Sequence, residues 1–251
     1  MSEDIVKEDF KFIVSGDSIS KGVVYDETQS KYVILQDNYV ALLKNKLKGI
    51  VSNTAKFGNT IIKGTNRLKS DISNHDYDIA LIEYGGNDSD FNWNEIAEHP
   101  KDVHKPNTDY GVFENKLTEI VNFIKTSKIV PVLMTIPPLN AERYLKWVSM
   151  NNPLTELNIL KWLGSVTKIY WWQERYNAAI LNVAEKTNTK FIDVRGAFLK
   201  YPDFSEFLCI DGIHPNKGGH KIIADKVFDF VRSGYDYLIK DKTDLQVLTR
   251  F

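Results

Sequence analysis

Five short apolar runs rich in branched residues punctuate the chain: FKFIV at Phe10 to Val14, GIVSN at Gly49 to Asn53, DIALIEY at Asp78 to Tyr84, KIVPVLMTI at Lys128 to Ile136 and KFIDV at Lys190 to Val194. Amphipathic stretches fill the gaps. Tyr39, Leu42, Leu43 and Leu47 share one helical face, as do Phe113, Leu117, Ile120, Val121 and Ile124. Tyr176, Ala179, Ile180 and Val183 form a third such face, and Ile222, Ile223, Val227, Phe230 and Val231 a fourth. Branched apolar runs alternating with helical periodicity predict βαβ units, hence an α/β fold with a mostly parallel sheet of about five strands and helices on both sides.

With 251 residues the chain can bury a core of its own. No repeat, low-complexity tract or Gly/Ser/Pro linker divides it, so residues 1–251 are expected to form a single domain. Two connections exceed ordinary βα loops: Ser89 to Gly111, and Leu139 to about Tyr170. The second is aromatic, with Tyr144, Trp147, Trp162, Tyr170, Trp171 and Trp172, and is expected to build one or two helices of its own as an insertion at about 139–172. From Ser233 to Phe251 an appended helix or strand is expected.

Several function classes are disfavoured at once. Thirty-two Lys plus Arg against 33 Asp plus Glu leave a net charge of -1, so no bulk field draws the chain to nucleic acid. The single cysteine, Cys209, forms no internal disulfide and reads as a small buried hydrophobe. The acidic first ten residues lack the basic start and apolar run of a signal peptide. Around Ile129 to Ile136 the longest apolar stretch is interrupted by Pro131 and ends at Pro137, short of the roughly 20 residues of a membrane span. A cytoplasmic location is the expectation. No G-x-G-x-x-G follows the first strand, and Gly58 to Gly64 is spaced wrongly for a phosphate loop and lacks its Lys. His99, Asp102 and His104 sit in one polar loop without a fourth ligand, so no metal is expected.

The carboxyl ends of parallel strands form the crevice where ligands bind in such sheets. Here those ends are small and polar: Ser15-Gly16-Asp17-Ser18 after the first, Asn53 to Thr60 after the second, and Gly85-Gly86-Asn87-Asp88 after the third. A short loop beyond the fifth leads to Cys209-Ile210-Asp211-Gly212-Ile213-His214-Pro215. Ser18 stands at a strand-to-helix turn where unpaired N–H groups suit an attacking oxygen, although Asp17, Ser18 and Ser20 are equally ordinary helix caps. Asp211 and His214, three residues apart, can act as orienter and general base, or as a plain Asp-Gly, His-Pro turn. Ser18 and Gly58 can offer backbone N–H groups and Asn87 a side-chain amide to an oxyanion. Each turn alone is unremarkable chemistry; several converging on one sheet edge describe acyl transfer through a serine.

FIVSGDS, the segment holding Gly58, GGND and DGIHP, in this order over most of residues 10 to 220, resemble the SGNH or GDSL hydrolases, a superfamily of serine esterases and lipases. The resemblance implies a flavodoxin-like three-layer α/β/α sandwich with a five-stranded parallel sheet. It implies Ser18 as nucleophile, His214 as base, Asp211 as its partner, and Ser18, Gly58 and Asn87 as the oxyanion hole. No metal or organic cofactor is implied. Ala55 departs from the family, which often has glycine at that place. The expected substrate is a small ester, an acetylated sugar or a short-chain acyl ester, with Trp147, Trp162 and Trp171 of the insertion as candidate substrate-binding residues. Acyl transfer to a sugar hydroxyl, and a non-catalytic carbohydrate-binding module on the same sheet, are the alternatives.

Overall fold

In the computed structural model, residues 10–240 are described. Strands β1 (Lys11–Gly16), β4 (Ile50–Asn53), β5 (Ile79–Glu83), β6 (Val130–Met134) and β7 (Lys190–Ile192) form one parallel sheet in the order β4-β1-β5-β6-β7. All five expected runs are there: β1 starts one residue later and extends two further than expected, and the other four are trimmed by one to four residues. A hairpin that periodicity did not suggest, β2 (Val23–Asp26) and β3 (Lys31–Ile34), follows β1.

Strand residues point alternately to opposite faces, and the two faces bury separate cores. Phe12, Val14, Leu81, Val132, Met134 and Ile192 pack against α2 (Tyr39–Lys46) and α11 (Lys217–Gly234), which follows the short α10 (Val194–Leu199). Ile13, Ala80, Ile82 and Leu133 face α3 (Ile61–Asn74), α6 (Tyr110–Thr126) and α9 (Thr167–Lys186). Every residue of β5 is buried, the signature of a central strand covered on both sides. The result is the three-layer α/β/α sandwich of the flavodoxin-like strand order.

A third core stands apart from the sheet. Phe91 and two helices on its C-terminal side, α5 (Trp93–Glu98) and α7 (Ala141–Val148), join α8 (Pro153–Leu163) and the start of α9 around Trp93, Ile96, Leu139, Leu145, Ile159 and Leu163. Both long connections therefore meet in one satellite layer. Its helices start on side-chain caps, Asn140 accepting from the Arg143 N–H and Asn152 from the Leu154 and Thr155 N–H groups, with Pro153 in the first turn. At the other end, α11 gives way to a short turn at Asp236–Leu238, and Ile239 bridges to Leu47. The remainder of the expected C-terminal element lies outside the described residues.

Candidate active site

In this strand order the chain runs from β1 outward to β4 and then back across to β5, so connections leave the β1 and β5 carboxyl ends toward opposite sides and open a crevice between them. Ser18 follows β1 and Asn87 follows β5, in the one-turn helices α1 (Ser18–Lys21) and α4 (Gly86–Ser89). A single turn carries little macrodipole; what the Ser18 position offers is an N–H with no intrahelical acceptor. Asp17 caps this turn by accepting from the Ile19 N–H at 2.9 Å.

His214 reaches the crevice from the loop before α11. Asp211 Oδ1 accepts the Ile213 and His214 N–H groups, both at 3.1 Å, closing a tight turn. Gly212 sits inside it with φ +77, and a Cβ there would lie 2.7 Å from the Asn140 carbonyl, so the position requires glycine. The turn directs the His214 ring so that Nδ1–H donates to Asp211 Oδ2 at 2.6 Å, while Nε2 lies 2.9 Å from Ser18 Oγ. With the proton on Nδ1, Nε2 is the acceptor for the Ser18 hydroxyl. All three side chains are buried. Burial pushes the Asp211 carboxyl up, but the His214 hydrogen bond and charge and the two N–H donors outweigh it and hold it below the ordinary carboxylate range.

Tyr32 of β3 was not foreseen. Its hydroxyl donates to Asp211 Oδ2 at 3.1 Å, and its ring lies 5.1 Å from the His214 ring. Burial and the Asp211 charge raise the Tyr32 phenol well above its ordinary value, so it stays a donor. Phe57 stacks on the His214 ring with the centroids 6.1 Å apart. Together with Trp147, which packs on Tyr25 and Tyr32 at 4.7 and 6.1 Å, these rings form an aromatic wall behind the imidazole.

Gly58 lies in the loop after β4, which is tied to the Gly-Asp-Ser turn by bonds from the Lys56 N–H and the Asn59 amide to the Gly16 carbonyl, at 3.2 and 3.4 Å. Its φ is +71 and nothing comes within 4 Å of where a Cβ would stand, which leaves its backbone open to approach. The Asn87 amide donates one hydrogen to Asp17 Oδ2 at 3.1 Å, leaving its second hydrogen for another acceptor. Asp17 is fully buried beside Glu83, whose Oε2 accepts from Ser20 Oγ at 2.8 Å and the Asp17 N–H at 3.5 Å. Burial and the Glu83 charge push the Asp17 carboxyl well above the ordinary range. Burial also raises Asp88, to about 6; its carboxylate holds the start of α3 through the Ile61 N–H and bonds Thr108 Oγ1 at 2.6 Å.

Beside Ser18, Asn87 and His214 opens a cavity of about 290 Å³ walled by the satellite layer. Trp162 lines it as expected, but Trp147 does not, because the hairpin supplies it with tyrosine partners nearer the imidazole. Trp171 is 60% exposed and points away; its neighbour Trp172 lines the cavity instead, with Phe91 and Trp93. Within the wall, Asp90 is bonded by Trp93 Nε1 at 2.7 Å and Tyr144 OH at 2.8 Å.

The arrangement brings together a serine oxygen, an imidazole 2.9 Å away bonded to a carboxylate, and the Asn87 amide on the wall of the same cavity. The model of the GDSL-like lipase/acylhydrolase family matches residues 14–222. The GDSL esterase/lipase WDL1 of Oryza sativa subsp. japonica is 22% identical over 156 residues, 61% of this chain and 53% of that protein, so the chain spans about half the length of this curated relative. Among solved structures, a lipase/acylhydrolase from Enterococcus faecalis superposes with a TM-score of 0.65 at 20% identity, covering 93% of this chain and 98% of that one. A catalytic mutant of Axe2, an acetylxylan esterase from Geobacillus stearothermophilus, gives 0.63 at 20% identity over 94% and 99%. These structural likenesses establish the shared fold, and the family match over most of the sequence carries the assignment: the chain belongs to the GDSL-like lipase/acylhydrolase family.

Proposed function

We propose that the protein is a serine ester hydrolase that cleaves a small carboxylic ester, an acetylated sugar or a short-chain acyl ester, through an acyl-Ser18 intermediate. The observation that carries this reading is the unbroken hydrogen-bond chain Ser18–His214–Asp211 at 2.9 and 2.6 Å. Ser18 Oγ attacks the ester carbonyl as its proton passes to His214 Nε2. The Asp211 carboxylate stabilises the imidazolium that results. Negative charge then collects on the former carbonyl oxygen, to which the Ser18 and Gly58 N–H groups and the free hydrogen of the Asn87 amide donate. Collapse expels the alcohol, which takes the proton from Nε2. Water, deprotonated by the same imidazole, attacks the acyl-serine and releases the acid.

The alcohol or acyl part is read from the cavity. At about 290 Å³ it is near the small end of ligand sites and larger than an acetyl group needs, and its aromatic walls suit a sugar ring or a short chain. The acetylxylan esterase among the structural neighbours supports the sugar ester.

The test is a fluorophosphonate, which reacts with activated serines, together with Ser18→Ala. We expect stoichiometric labelling at Ser18 and, in the variant, loss of both labelling and ester turnover, with kcat down by about 10⁴ or more and circular dichroism unchanged. Undiminished turnover of 4-nitrophenyl acetate by Ser18→Ala overturns the reading.

A further inference from the structure

Gln173 lines the cavity, yet it is only 7% exposed and its side chain is committed at one end. Arg195 Nη1 donates to Gln173 Oε1 at 3.1 Å. A guanidinium has donors and no acceptor, so this bond fixes which way the amide is turned: oxygen toward Arg195, nitrogen away from it. Arg195 itself is 3% exposed and cannot swing aside. Its Nη1 also donates to the Ile136 and Pro137 carbonyls at 3.3 and 3.4 Å, its Nε pairs with Glu174 at 2.6 Å, and its plane lies 4.7 Å from the Tyr170 ring.

Gln173 Nε2 has no hydrogen-bond partner among the described residues, and neither has the buried Trp172 Nε1 that lines the same cavity. Asp90 is held by Trp93 and Tyr144, and Ser89 Oγ donates to the Gly86 carbonyl at 3.0 Å. A desolvated amide N–H left unpaired is costly, so a bound group that offers it an acceptor is favoured over one that does not. Lys168 lines the same cavity and makes no ion pair with a described carboxylate, which adds positive charge on the same side of the preference.

Resting on the esterase reading above, we propose that Gln173 is a specificity-determining residue. Its amide N–H donates a hydrogen bond to an acceptor oxygen, such as a carbonyl, carboxylate or sugar oxygen, on the part of the ester that occupies the cavity. The substrate class is thereby narrowed to esters that carry a second oxygen function beyond the scissile group. A purely hydrocarbon acyl or alkyl chain is discriminated against.

Two matched pairs of esters test this: 4-nitrophenyl 4-oxopentanoate against 4-nitrophenyl pentanoate for an acid in the cavity, and 4-oxopentyl acetate against pentyl acetate for an alcohol there. In one pair the wild-type protein is expected to favour the oxo ester in kcat/KM by about ten-fold. In Gln173→Leu the ratio falls to about one. Gln173→Glu keeps an acceptor for Arg195 but removes the donor, so it gives the same loss and serves where the leucine variant does not fold. Fluorophosphonate labelling of each variant reports an intact Ser18 site. A wild-type ratio near one in both pairs, or labelled variants that retain the wild-type ratio, overturns the inference and leaves the esterase reading standing. A wild-type protein that neither labels nor hydrolyses any of the four esters sinks the esterase reading itself.

Discussion

Two aspartates, Asp211 and Asp17, are both fully buried, one on each bank of the crevice, yet their carboxyls are shifted in opposite net directions. On the His214 bank, Asp211 is surrounded by donors: two N–H groups, the imidazole and the Tyr32 hydroxyl. On the other bank, in the turn after β1, Asp17 has two donors, Ile19 N–H and the Asn87 amide, but faces the Glu83 carboxyl. Desolvation is common to both; the neighbours decide the sign. One bank holds a carboxyl low where the proposed mechanism forms a cation, and the other shifts the carboxyl of the Gly-Asp-Ser turn toward its neutral form.

The same substitution made on each bank breaks or sharpens this contrast. Asp211→Asn removes the charge opposite the developing imidazolium and loosens control of the imidazole tautomer, so kcat is expected to fall about ten thousand-fold. Steady-state turnover of a chromogenic ester checks it, and a drop of less than ten-fold would mean that Asp211 only ties the turn. A smaller effect belongs to Tyr32→Phe, which deletes one of several donors to Asp211 while keeping the ring against His214. It should lower kcat about five-fold with KM unchanged. An altered KM instead would assign Tyr32 to substrate binding.

How much of this was legible in the sequence varies by region. Continuous runs such as IALIE announce strands buried on both faces, and the turns directly after them expose Ser18 and Asn87 to reading, while Asp211 and His214, separated from β7 by α10, are marked by their own DGIHP turn. The β2–β3 hairpin could not be read with the same ease: its strands are short and half exposed, and its turn, Glu27 to Ser30, lacks the Asn-Gly or Gly-Gly that marks tight hairpins. α3 has a weak signature too: Ile61, Leu68 and Ile72 are spaced for one face, but Lys63, Gly64 and Lys69 dilute the signal. Helical periodicity shows that Trp147, Trp162 and Trp171 lie on helices; which neighbour each meets depends on packing across distant segments. The Tyr32 bond spans 179 residues and the Arg195 bond that turns Gln173 joins two different elements, so neither has a local signature.

The smallest catalytic effect, and the sharpest statement of the contrast, is expected from Asp17→Asn. Because Asp17 binds its proton more tightly folded than unfolded, wild-type stability declines as pH rises from the ordinary carboxylate range through the raised folded value, and the decline is complete only above it. Asparagine is a fair copy of the protonated acid, offering an oxygen to a donor such as the Ile19 N–H, so kcat should change less than about ten-fold. The variant lacks the decline, so relative to wild type it should gain stability when the pH is taken from a mildly acidic to a mildly alkaline value. Asp211→Asn must do the reverse: a carboxyl held low contributes stability above the ordinary range that vanishes as pH falls through its folded value, so this variant loses most near neutrality and least in acid. Urea unfolding of both variants at the two pH values reads the two slopes directly. Slopes of the same sign would show that the Asp17 carboxyl is ionised in the folded protein, and the two banks would then differ in shape but not in charge.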